Sequence, residues 1–400
     1  MWTAAFDRVL RGFWSDGALE VTYADGTTRR YGPDPGTPWR LTLHDPALPR
    51  ELLFDLDMAF GEAWVDQRLS IAGDDLRGFL AAAIRQRVAG HDPVTARLLH
   101  RLQAIAQRWA ERNPLPRARA NVQHHYDLSG ALYDLFLDAD RQYSCAYFTD
   151  PEMSLEAAQE AKKRHIARKL CLAPGMRVLD IGCGWGGMAL TLARDHGAQV
   201  VGVTLSDEQH AHASGRVAAA GLADRIDIRL ADYRDVDGPF DRIVSVGMFE
   251  HVGAAHYGDY FGKVRDLLTP DGVALVHTIG TQTAPRATST WLRRYIFPGG
   301  YLPALSEMLA AVEKTGLTIA DIEVLRLHYA RTLRHWHDRF MANVDAARNL
   351  YDEKFTRVWR YYLTTAELSF VAERLAVFQV QLARCKDAVP LTRDYLYSDV

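Results

Sequence analysis

One segment constrains this chain more than any other: Val178-Leu179-Asp180-Ile181-Gly182-Cys183-Gly184-Trp185-Gly186-Gly187, a short apolar run that ends in a cluster of glycines. A strand that runs into Gly-x-Gly and then a helix aims backbone N–H groups and a helix N-terminus at one point. Glycine suits such a turn because a Cβ would collide with any ligand approaching the backbone. The flanking pattern extends the same architecture. Strands are expected over 177–181, 199–204, 226–230, 242–246 and 273–278, with helices over 187–195, 207–220 and 256–268 between them. Such alternation is the signature of a mostly parallel α/β sheet. Two late strands, near 319–327 and 378–385, complete it, and the stretch from 285 to 375 reads as mostly helical and rich in aromatics.

Gly182, Gly184 and Gly187 also satisfy the dinucleotide pattern G-x-G-x-x-G, which is weak on its own. Three neighbouring features decide the ligand. Asp180 precedes the glycines, and a carboxylate there suits a cationic group, such as the amino group of a methionine moiety, better than a pyrophosphate. The acidic residue that a nicotinamide dinucleotide needs after the second strand is missing, because Thr204 stands in its place. After the third strand, Asp232 offers a carboxylate for an adenine amino group and Tyr233 a ring to stack on. Together these point to S-adenosylmethionine.

Length and composition set the surroundings. At 400 residues one large and one small domain are expected. Residues 1–88 read as an accessory domain, with a hairpin over 19–31 and a helix over 76–88. Residues 89–116 read as a basic helical linker, ended by Asn113-Pro114-Leu115-Pro116, and 117–400 as the catalytic domain. A net charge of −3 argues against a nucleic-acid binder. The four cysteines lack CxxC spacing, so they signal neither a disulfide scaffold nor a zinc site and fit reduced thiols in the cytoplasm. Cys385 is expected in the core of the last strand. His124-His125 and His335-x-His337 lack a third ligand at useful spacing, so no metal is expected. The N-terminus is charged where a signal peptide is apolar, and no run of about twenty apolar residues would span a membrane. Peripheral attachment stays open.

A second set of residues falls near the ligand edge of the sheet. Glu250, in Gly247-Met248-Phe249-Glu250-His251-Val252-Gly253, and His277, in His277-Thr278-Ile279-Gly280, follow successive strand ends. Cys145, in Gln142-Tyr143-Ser144-Cys145-Ala146-Tyr147-Phe148, and Tyr329 join them. Singly, each has an ordinary explanation: a capping carboxylate, a core histidine, a buried thiol. As a set, in this order, they resemble the cyclopropane-fatty-acyl-phospholipid synthases and the related mycolic acid cyclopropane synthases. The resemblance runs over about 117–385.

That resemblance implies a class I S-adenosylmethionine-dependent methyltransferase fold, Rossmann-like, with a mostly parallel seven-stranded sheet, helical lid insertions and a small N-terminal α+β domain. It implies cofactor contacts from Tyr126, Tyr143, Ser144, Asp180, Ile181, Gly182, Cys183, Gly184, Trp185, Gly186, Thr204, Leu205, Ser206, Gln209, Asp232 and Tyr233. It also implies a bicarbonate ion beside the cofactor, held by Cys145 (backbone N–H), Glu250, His277, Ile279 (backbone) and Tyr329. A cysteine that some members carry in the C-terminal helix corresponds to Ala366 here, which counts against a thiol role and not against the activity. A homodimer is implied too.

The implied reaction sets further expectations. An alkene is a weak nucleophile, so it must be held in line with the methyl donor. The resulting cation needs a dry pocket and aromatic faces, for which Tyr126, Tyr143, Phe148, Trp291, Tyr295 and Tyr301 are candidates. Phospholipid acyl chains at the inner membrane face are the expected substrate. Arginines cluster over 85–119 (Arg85, Arg87, Arg97, Arg101, Arg108, Arg112, Arg117, Arg119), either as a solvated helix face or to attract anionic headgroups. The segment Trp291-Leu292-Arg293-Arg294-Tyr295-Ile296-Phe297-Pro298 mixes aromatics and cations as interfacial helices do. Two rival readings remain: a methyl- or methylene-branched product from the same first step, and a non-catalytic lipid-binding protein.

Overall fold

The computed structural model describes residues 1–91 and 129–397. Tyr126, the paired histidines 124–125, most of the arginine-rich stretch and the boundary expected at 113–116 lie outside the described residues. The chain divides into two compact units.

The first unit comprises Met1–Gln107, Arg286–Phe297 and Leu333–Arg374. Four short strands, β1 (Leu19–Thr22), β2 (Thr28–Tyr31), β3 (Trp39–Leu43) and β4 (Leu69–Ile71), form a sheet in the order β2-β1-β3-β4. The β1–β2 hairpin is the expected one, with Gly26 in the left-handed region at its turn. The helix Leu76–Gln86 starts on the Asp75 side chain, which accepts from the Gly78 N–H, as N-caps do. Its Phe79 stacks between Phe60 and Trp14. The long helix Glu353–Ala372 packs its buried Tyr361 against Trp64, Phe60 and Trp291. Its Glu367 carboxylate is buried and holds both Arg77 and Arg334 at 2.7 Å. The segments 286–297 and 333–374 thus belong by contact with the N-terminal residues, although sequence places them with the catalytic part.

The second unit comprises Arg108–Pro285, Pro298–Thr332 and Leu375–Val400. Its sheet contains β5 (Arg177–Ile181), β6 (Gln199–Thr204), β7 (Ile226–Leu230), β8 (Phe240–Val246), β9 (Leu268–Thr281), β10 (Thr318–Leu325) and β11 (Leu375–Ala383). The order is β10-β11-β9-β8-β5-β6-β7, with β5 to β9 parallel and β11 antiparallel to both neighbours. All seven strands fall where sequence alternation expects them. Some ends differ: β9 runs longer on both sides, and β11 stops at Ala383. Cys385 therefore lies beyond the strand, half-buried, and not in the core. The polar residues that follow, Lys386 and Asp387, favour a turn there.

Side chains alternate across a strand, so each face of the sheet carries its own core. Leu179, Ile181, Ile243, Ala274 and Val276 face one way. Val178, Val200, Val244 and Leu275 face the other, against Ile166, Ala167 and Leu170 from the helix Leu155–Lys169 and its end. Each fully buried aliphatic side chain contributes about 1.5–3 kcal/mol. The same alternation puts Asp180 on the face of Val178, and His277 on the face of Leu275. Both therefore point to the side covered by Leu155–Lys169. No helix among the described residues is long and apolar enough to cross a membrane.

Candidate active site

The turn after β5 forms as its glycines require. Gly182, Gly184 and Gly186 all have φ between +54 and +82. A Cβ on Gly182 would lie 3.0 Å from the Met248 side chain, and one on Gly187 would meet Asp140 and Gln142 at 2.3 Å. The N–H groups of Gly182 and Cys183 both donate to the carbonyl of Val203, which ties the turn to β6. The helix Gly187–His196 then leaves with its N-terminus directed at the turn.

A cleft opens beside this turn. Of the expected cofactor residues, Ile181, Gly182, Gly184, Thr204, Leu205, Gln209, Asp232 and Tyr233 line it. Arg234, Met248, His251 and His256 line it as well, and were not anticipated. The Thr204 hydroxyl donates to Gln209 Oε1 at 2.8 Å and accepts from the Ser206 N–H. Ser206 is fully buried and caps the helix Asp207–Ala219, so it shapes the cleft wall without lining it. Asp232 departs from its expected freedom, because Arg234 grips its carboxylate with Nε and Nη2 at 2.8 Å.

Other expected residues surround the cleft instead of lining it. Cys183 and Trp185 are buried, and Trp185 packs edge-on to Tyr133 beneath the Arg141 guanidinium. Gly186 serves as the N-cap of the following helix. Tyr143 packs edge-on to Tyr133 and Phe136. Ser144 sits in an irregular stretch fixed mainly by side chains. The Asp138 carboxylate accepts the N–H of Asp140 and Gln142, and the Gln159 amide donates to the carbonyls of Gln142 and Ser144.

Two buried carboxylates dominate the electrostatics. Asp180 is 1% exposed, and its Oδ2 has no protein partner among the described residues. Burial raises its pKa to about 7 against the opposing pull of Lys162. Glu250, in the turn after β8, receives the Ile279 N–H on Oε1 at 2.6 Å, while Oε2 is buried and makes no hydrogen bond among the described residues. Burial raises its pKa to about 7 as well. The Glu250 carbonyl accepts the Tyr301 N–H, which secures the turn from a third side.

His277 lies one strand over, 2% exposed, and burial holds its pKa well below the usual value, so the ring is neutral. Its Nδ1 lies 3.1 Å from Gln379 Nε2, a hydrogen bond that fixes the plane of the ring. The Ile279 N–H is committed to Glu250 and orients that carboxylate. Cys145 is buried and its thiol is pushed up by desolvation, consistent with a packed residue and not a nucleophile. Its neighbours Ala146 and Phe148 are pinned by Thr332 and His328, the latter next to buried Tyr329.

The aromatic candidates separate. Trp291 and Tyr295 belong to the first unit, where Trp291 is buried on Tyr361 and the Tyr295 hydroxyl donates to Glu62. The Phe148 ring already carries Arg331 over its face, at 5.0 Å. Tyr301 is buried in the second unit, with its hydroxyl on Glu307.

The helix Leu155–Lys169 is the part that sequence reading missed. Gln159, Lys162, Lys163, His165 and Lys169 are all buried on it. Glu323 of β10 takes His165 at 2.6 Å and Lys169 at 2.5 Å. A polar helix buried on most sides carries no amphipathic signal. The spacing of Gln159, Lys162 and Lys169 along one side was the available clue.

Comparison with known proteins places this arrangement. Residues 114–380 match the family model described as mycolic acid cyclopropane synthetase, and residues 6–89 match a domain of unknown function, DUF7884. A "Probable fatty acid methyltransferase" of Pseudomonas putida is 37% identical over 95% of this chain and 96% of that protein. The cyclopropane-fatty-acyl-phospholipid synthase of Escherichia coli K12 is 36% identical over 87% of this chain and 88% of that one. Among solved structures, the cyclopropane synthase MmaA2 from Mycobacterium tuberculosis superposes with a TM-score of 0.64 at 36% identity, covering 68% of this chain and 99% of that one. With the seven-stranded sheet, the glycine turn and the match over 114–380, the chain belongs to the mycolic acid cyclopropane synthetase family, and it is an S-adenosylmethionine-dependent methyltransferase.

Proposed function

We propose that this enzyme adds the methyl carbon of S-adenosylmethionine across the cis double bond of unsaturated phospholipid acyl chains, closing a cyclopropane ring, with bicarbonate as the proton acceptor. The observation that carries the reading is Glu250: a buried carboxylate clamped by the Ile279 N–H, with a second oxygen that makes no hydrogen bond among the described residues. The named activities of the synthases and fatty acid methyltransferases that the chain resembles support the same substrate class.

The residues present fit the cofactor. Asp180 Oδ2 is a buried acceptor that awaits a cationic partner, and the turn at Gly182 leaves room only where a Cβ is absent. When bound, the cofactor supplies an electrophilic methyl carbon. Asp180 would take the methionyl ammonium, and Thr204, Asp232 and Tyr233 would border the nucleoside. The site also fits an anion that carries one O–H. Ionised Glu250 would accept that O–H and so raise the basicity of the anion, and His277 would help to orient it. Tyr329 and the Cys145 backbone complete the proposed set. A dry site would keep water from quenching positive charge developed on the acyl chain.

Residues 1–88 are read as an accessory domain and the basic stretch as an attraction to anionic headgroups, which makes the enzyme a peripheral visitor at the inner membrane face. A homodimer is part of the same reading. A second reading, a methyl- or methylene-branched product, is favoured by the resemblance to fatty acid methyltransferases.

Purified protein, methyl-labelled S-adenosylmethionine and vesicles of monounsaturated phospholipid test the proposal together. Label is expected in the acyl chains, and stripping bicarbonate from the buffer should slow its appearance about tenfold or more, restored on adding bicarbonate back. Label confined to the headgroup would reject the substrate. A full rate without bicarbonate would reject the proton acceptor.

A further inference from the structure

The helix Leu155–Lys169 is polar in sequence, yet Lys162 on it is fully buried, among the largest side chains in the protein with essentially no exposure. Burying an ammonium is costly unless it is satisfied. Lys162 Nζ donates to Gln142 Oε1 at 2.5 Å and to Ser144 Oγ at 2.8 Å, and it pairs with no carboxylate within salt-bridge distance among the described residues. Both bonds go to the stretch that holds Tyr143 and Ser144, two of the residues expected to contact the cofactor. Gln159, one turn earlier, fixes the carbonyls of the same two residues. This short irregular stretch is thus held by side chain and backbone from a single helix.

The same ammonium acts on the residues around the site. It is the charged group that opposes the burial of Asp180, and it also acts on Cys145 and His277. The sheet explains why: alternation along β5 and β9 sends Asp180 and His277 to the face that this helix covers. Asp138 and Asp140 favour the charged form of Lys162, while Lys163 and burial oppose it. Asp140 is itself engaged by Lys163 and Arg216. A methionyl group carries one ammonium and one carboxylate. Asp180 answers the first, and the second requires positive charge on the same side.

The geometry points to Lys162 as the positioning residue for the methionyl end of the cofactor: through Ser144 and Gln142 it sets the 142–145 stretch, and its charge balances Asp180 and the incoming carboxylate. This rests on the reading of the cleft as the adenosylmethionine site. The residue is not proposed to touch the transferred methyl.

Titration calorimetry on the full-length protein tests it with two probes, S-adenosylhomocysteine and methylthioadenosine, which differ by the amino-acid moiety. Lys162→Met should weaken S-adenosylhomocysteine about tenfold or more and leave methylthioadenosine within about twofold. A purely structural role would weaken both alike, and that result, or no change in either, overturns the inference. If Lys162→Met does not melt cooperatively, Ser144→Ala decides: a loss of several-fold, about 3 or more, for S-adenosylhomocysteine alone supports the assignment, and equal effects on both probes reject it. Failure of the unaltered protein to bind either probe would instead remove the cofactor reading itself.

Discussion

Replacing Glu250 with Gln is expected to lower turnover about a hundredfold or more while affinity for S-adenosylmethionine stays within about threefold. The amide preserves shape, and its oxygen can still receive the Ile279 N–H. It then presents an N–H₂ donor where the carboxylate presents Oε2, and it removes the negative charge that makes a neighbouring anion a better base. The pH dependence follows from burial, which raises the Glu250 pKa from the usual carboxylate range to about 7 in the free protein. The ionised form is the active one in this account. At saturating cofactor the rate should therefore be high above that titration and fall as pH drops through it, and the Gln variant should show no such step. Loss of cofactor affinity in parallel with turnover would mean that Glu250 belongs to the nucleotide cleft and not to the chemistry.

Asp180→Asn is the second large effect, and it should fall on binding. A buried charge that loses its partner costs about 2 kcal/mol or more, roughly thirtyfold in affinity. Asp180 meets the conditions for the full penalty: it is buried, its Oδ2 is otherwise unpartnered, and Lys162 is the charge that keeps it ionisable. Its pKa is also raised to about 7, so cofactor affinity should weaken as pH falls through that value. Asn at this position should flatten the profile. Calorimetry separates the two carboxylates, because the Glu250 variant keeps the pH dependence of binding and loses that of turnover. Unchanged affinity in Asp180→Asn would show that the carboxylate supports the turn and not the ligand.

The parts legible in sequence were those with a periodic or stereochemical signature. Strands β5 to β9 announce themselves by alternation with helices, and the turn by glycines that must adopt positive φ. Glu250 follows a strand end, where an open α/β sheet presents its ligand edge, whereas His277 lies inside β9, which runs on to Thr281. What sequence could not reveal was contact between distant segments. Trp291 and Tyr295 read as pocket aromatics, but they pack with Tyr361 and Glu62 in the first unit. Lys162 stayed hidden because charged residues on a helix ordinarily face water, and only the sheet face beneath shows that this one does not.

The central claim is that a ring closes on an acyl chain, and lipid mass spectrometry of a host expressing the protein, beside the same host with Glu250→Gln, measures it most directly. The account predicts unsaturated chains partly converted to species one methylene heavier, which mild hydrogenation leaves unchanged, and no conversion with the variant. An unaltered lipid profile, or heavier chains that take up hydrogen as alkenes or already carry the two extra hydrogens of a saturated branch, would contradict it.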